Sequence, residues 1–167
     1  MKKVLVGTKN PTIIKTVQEV CKKYATYFDP DFFDETEEAI RYIDYELPEL
    51  KILDFTSSDI DCNLILETIR KDPWLHYGGI IAVVKDLKAV QEMEEKKDGN
   101  ILIVFTVEKF FFHFERLLRI IWQNQQFLFN RGMQDKLGGK ETGCFICEND
   151  PFDISVYSNF LVSYLYS

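Results

Sequence analysis

LKILDFTSSDIDCNLILETIRKDP, residues 50–73, holds a strand, a loop and a helix in that order. Leu50 to Phe55 is short and mostly apolar, as a strand buried on both faces requires, and Asp54 falls at its end. Thr56 to Asp61 is polar and reads as a loop. Leu64, Ile65, Leu66 and Ile69 then recur at helical spacing, and the helix ends near Asp72-Pro73. The stretch is therefore one βα unit with a carboxylate where the strand gives way to the loop.

Similar units lie on both sides. Upstream, Val4-Leu5-Val6 is a short strand, and Pro11 suits the first turn of a helix whose apolar face is Ile13, Ile14, Val17, Val20 and Cys21. Tyr27 to Phe33 is a second strand. Pro30 interrupts it and places it at or near a sheet edge. Acidic residues from Asp34 open a second helix, carried by Ala39, Ile40 and Ile43 and closed by Pro48. Downstream, Gly78-Gly79 is a turn and Ile80 to Val84 an apolar fourth strand. Asp86 to Lys97 is a helix with a charged outer face, and Ile101 to Phe105 is a fifth strand. Five βα units predict an α/β fold, a doubly wound five-stranded parallel sheet with helices on both faces. The expected strand order is the flavodoxin-like 2-1-3-4-5, with the cleft at the carboxyl ends of strands one and three.

The fifth helix starts near Val107 and extends toward Phe129. Its large apolar residues, among them Phe110, Phe111, Phe114, Ile121 and Trp122, populate more than one face. A helix on one side of a sheet needs a single stripe, so the excess requires a cover. Either another chain supplies it, in a homodimer, or the segment from Gly143 to Ser167 folds back. That segment follows a polar, glycine-bearing linker, 130–142, and reads as a short strand and a helix with the stripe Ile154, Tyr157, Phe160, Leu161 and Leu165.

Composition bounds the rest. At 167 residues the chain fits one domain and a short extension, and 46% apolar residues indicate a globular fold. A net charge of −7 without a Lys/Arg stripe argues against nucleic acid. No apolar run reaches the roughly 18–20 residues of a membrane span, and the start lacks a signal-peptide pattern, so a cytoplasmic location is expected. Cys144 and Cys147 form one C-x-x-C pair, a weak zinc signal without a second pair. His76 and His113 have no ligand at metal spacing, Ser57 and Ser58 have no activating His, and Gly138-Gly139 lacks a phosphate-binding Lys. No cofactor and no metal site is expected.

The stretch 50–73 resembles the centre of two-component response-regulator receiver domains, with KKVLVGTKN and DGNILIVF resembling their first and fifth strands. The resemblance covers about residues 2 to 126. It implies a signalling module in a phosphorelay, with Asp54 as the phosphoacceptor equivalent and Asp61 as the later Asp of the pattern. It also exposes departures. Family positions for the acidic, magnesium-binding pair hold Thr8 and Lys9, the hydroxyl position on strand four holds Val84, and the lysine position on strand five falls near Val104. Phosphoryl transfer to Asp needs a metal to offset the charge on the phosphoryl oxygens. The expectation is therefore a non-catalytic pseudo-receiver, residues 1–129, that binds a signalling protein or histidine kinase. The resemblance also suggests pairing through the face of helix four, strand five and helix five. Lys9 has two readings, a counter-charge beside Asp54 or a solvent-facing cation. An active phosphoreceiver, with Asp59 as a metal ligand, and a small flavodoxin-like enzyme or cofactor binder are the alternatives. ENDPFDISVYSNFLVSYLY further resembles the opening of a GHKL-type anti-sigma-factor ATPase domain, which would make 143–167 the start of a second domain.

Overall fold

The computed structural model describes residues 2–123 except 77, 97 and 99. The linker and the strand-helix expected over 130–167 lie outside the described residues. Five strands alternate with five helices: β1 (Lys2–Gly7), α1 (Pro11–Lys23), β2 (Phe28–Phe33), α2 (Thr36–Glu46), β3 (Leu50–Asp54), α3 (Cys62–Lys71), β4 (Gly79–Val84), α4 (Leu87–Glu95), β5 (Ile101–Thr106) and α5 (Val107–Gln123). A short 3-10 helix, Pro73–His76, precedes β4. The strands form one parallel sheet in the order β2-β1-β3-β4-β5, which is the flavodoxin-like arrangement. Pro30 sits on β2, an edge strand, where its missing N–H breaks no central ladder.

Local chemistry sets the element boundaries. Asn10 caps α1 by accepting from the Thr12 and Ile13 amides, with Pro11 at the first helical position. Asp61 caps α3 through the Leu64 amide, and Asp86 caps α4 through the Ala89 amide. Gly78 has φ +75°, and a Cβ there would lie 1.6 Å from the Glu49 carbonyl, so only glycine fits the entry to β4.

Strand alternation divides the core into two clusters. Val4, Val6, Leu50, Ile52 and Val83 face α1 and α5. Leu5, Leu53, Ala82 and Val84 face α2, α3 and α4. The β4–β5 register shifts between Ile80 and Ile81. Beyond the shift, Phe105 faces α5 with the first cluster, while Val104 packs in the second.

The core absorbs most of the α5 residues expected at a contact surface. Phe110, Phe114, Ile120 and Ile121 are buried against the sheet in the first cluster. This corrects the expectation that Phe110, Phe114 and Ile121 face a partner: the α5 stripe turned to the sheet is wide enough to take them all. Phe111, Phe112 and Trp122 remain at the surface. Trp122 packs on Tyr24, with ring centroids 5.4 Å apart. It lies 11 residues along α5 from Phe111, or about 16 Å of helix rise away, so the two do not form one patch.

Candidate functional site

Asp54 ends β3 on the α1/α5 side of the sheet and is fully buried. Its carboxylate accepts four hydrogen bonds from three neighbours. On one oxygen, the Thr8 hydroxyl donates at 2.6 Å and the Ser57 hydroxyl at 2.8 Å. On the other, Thr56 donates through its amide at 3.0 Å and also through its hydroxyl. Thr56 stands two residues beyond Asp54, the spacing at which an Asp side chain closes a turn on its own backbone.

These hydroxyls extend the site into two loops. The Asn10 amide donates to the Thr8 hydroxyl at 3.0 Å, and the Lys9 amide donates to the Ser57 hydroxyl at 3.1 Å. Thr8 continues the β1 row and is itself buried. The β1–α1 loop and the β3–α3 loop are thus joined through one carboxylate. Cys62, at the start of α3, donates its thiol to the Asp54 carbonyl at 3.3 Å. Burial, with the Asp54 charge beside it, pushes that thiol up to about 12, so it stays protonated.

The other expected site residues lie apart from the carboxylate. The Lys9 ammonium pairs with Asp59 at 3.4 Å, and both side chains are largely exposed. Val84 and Val104 pack on the opposite face of the sheet among the α2–α4 residues. The row that carries Asp54 runs through Val83 and Phe105. On the Asp54 face, β4 and β5 therefore present apolar groups. Asp61 is occupied as the α3 cap. Among the described residues, no three His, Cys, Asp or Glu side chains stand together as a metal site.

Two features escaped the sequence reading. Thr56 and Ser57 act on Asp54, although the D-x-T-S spacing signals a carboxylate that folds back on its own loop. Lys51 is buried at 2% exposure, its ammonium donating to the Leu75 carbonyl at 3.0 Å. A charged residue inside a strand covered on both faces was the signal for it.

No family model and no curated protein matches the chain. Solved structures do. A response regulator from Hahella chejuensis superposes with a TM-score of 0.61 at 16% identity, covering 73% of this chain and 95% of its own. A response regulator in red light signaling of R. palustris superposes with a TM-score of 0.55 at 18% identity, covering 73% of this chain and 92% of its own. At these identities the likeness is one of fold, and the fold is that of receiver domains.

Proposed function

We propose that the chain is a pseudo-receiver, a non-catalytic module of a two-component or related pathway that works by binding a signalling protein. The observation that carries this reading is the set of hydroxyls on Asp54. To attack phosphorus, a carboxylate oxygen needs a free lone pair, and the phosphoryl group needs a cation to offset its charge. Here Thr8, Thr56 and Ser57 occupy both oxygens. The ammonium of Lys9, which follows Thr8 in sequence, is engaged with Asp59. Val83 and Phe105 continue the row with groups that cannot donate a hydrogen bond to a phosphoryl oxygen.

The protein-binding surface in this reading is the face of α4, β5 and α5. Among the described residues, the large apolar groups exposed near the start of α4 and α5 are Leu87, Phe111 and Phe112, with Trp122 apart from them near the end of α5. The area is smaller than the α5 sequence suggests, and it suits a bound segment of a kinase or other signalling protein better than the pairing of two whole faces.

The test is to treat the full chain with acetyl phosphate, or with beryllofluoride, in excess Mg²⁺ and to follow Asp54 by mass spectrometry and NMR. Asp54 is expected to stay unmodified and the spectrum unchanged. Stoichiometric modification, with shifts spreading through β4 and β5, would overturn the reading and favour an active phosphoreceiver.

A further inference from the structure

We infer that a groove beside α5 is the docking site of the chain's own acidic, aromatic segment 148–165. The groove lies on the α4-β5-α5 face, and the inference rests on the reading of that face as a protein-binding surface. The groove is lined by Lys85, Leu87, Lys88, Lys109, Phe111 and Phe112, all exposed. Lys2, Lys3, Lys9, Lys15 and Lys23 each pair with a carboxylate. Among the described residues, Lys85, Lys88 and Lys109 have no such partner. Two carboxylates also line the groove, on Asp86 and Glu108, and Asp86 is engaged as the α4 cap. The local excess is positive in a chain whose net charge is −7. Exposed aromatic rings between unpaired lysines fit an occupant that is both acidic and apolar.

The chain contains such a segment. Residues 148–165 carry Glu148, Asp150 and Asp153, no Lys or Arg, and the helically spaced apolar residues Ile154, Tyr157, Phe160, Leu161 and Leu165. Its position allows the contact. α5 starts beside the groove and its 17 residues span about 25 Å. The stretch 124–147 reaches up to about 80 Å when extended, ample to return over that distance. A tethered segment binds at high effective concentration, so modest affinity is enough to hold it against a free partner.

The test is zero-length carbodiimide cross-linking of the full chain, mixed from isotopically labelled and unlabelled protein and read by mass spectrometry. The expected products join Lys85, Lys88 or Lys109 to Glu148, Asp150 or Asp153 within one chain. In Phe112→Asp, an exposed change, those products should fall several-fold and trypsin should cut after Lys136 and Lys140 several-fold faster. Links between labelled and unlabelled chains would assign the groove to a second copy and overturn the inference. So would links from the segment to other surfaces only, no links from it at all, or cross-links unchanged by Phe112→Asp. None of these outcomes bears on whether Asp54 accepts a phosphoryl group, so the inference and the reading beneath it fail separately.

Discussion

Removing the Asp54 carboxylate should cost more than removing its charge. In Asp54→Ala the buried Thr8 hydroxyl and the Ser57 and Thr56 donors lose their acceptor together. Buried donors left unpaired cost about 1–3 kcal/mol. In Asp54→Asn the oxygen can stay toward the Thr56 amide, and the new amide group can donate to Thr8 and Ser57, whose hydroxyls rotate to accept. We expect Asp54→Ala to lose about 2 kcal/mol in urea unfolding and Asp54→Asn less than half of that. Equal losses would show that the charge, and not the hydrogen bonds, holds the site. At this scale the sequence was only partly legible. It located Asp54 at the end of β3 and Thr8 and Lys9 just past β1, because both follow from where strands end. It did not show that Thr8 donates to Asp54, since that contact depends on two loops 46 residues apart in sequence meeting above the sheet. Nor did it show Lys9 turned to Asp59, a choice made by loop geometry.

At the scale of the element, α5 divides into an inner and an outer face. Phe114 is buried in the first cluster and stacks on Phe110, with ring centroids 4.8 Å apart. Phe112 is 73% exposed. Phe114→Ala should therefore cost about 3–5 kcal/mol through lost burial and the cavity left behind. Phe112→Ser should change stability by about 0.5 kcal/mol or less. Thermal and urea unfolding of the two variants checks the assignment, and similar losses would contradict it. The strands and helices themselves were legible because their periodicities differ and because Asn10, Pro11, Gly78 and Asp86 punctuate them. The faces of α5 were not. Phenylalanines at 110, 111, 112 and 114 cover too much of the helix circumference to reveal which of them meets the sheet.

At the scale of the whole molecule, stability should depend on pH through Lys51. Burial lowers its ammonium to about 7, while the neighbouring Glu49 pulls the other way. Its ordinary value is 10.5. Between these values the unfolded chain holds a proton on Lys51 that the folded chain does not. Raising the pH through this window therefore stabilises the fold. Below about 7 both states are protonated and the destabilising effect is constant and largest; above 10.5 it is gone. One proton contributes at most about 1.4 kcal/mol per pH unit. Urea titrations from pH 7 to 10 should give a positive slope from this group, and Lys51→Met should reduce the slope by up to that amount. A slope unchanged in Lys51→Met would mean that the side chain stays charged inside the fold. The topology was legible in full, because five apolar strands alternating with helices leave few ways to cover both faces of a sheet. The buried lysine was hidden by the same regularity, one charged residue among the apolar ones that precede Asp54 in β3.

The hydroxyls around Asp54 also bear on what such a domain can report. A domain that toggles needs two arrangements of its loops and an external event that chooses between them. Here the cross-tie between the β1–α1 and β3–α3 loops is made from the chain's own side chains, and neither a metal nor a modification is required to complete it. If the proposed pseudo-receiver reading holds, such a part would store no record of phosphorylation at Asp54, and what it conveys to a pathway would depend on its abundance and on whether its partner surface is free, not on phosphate turnover.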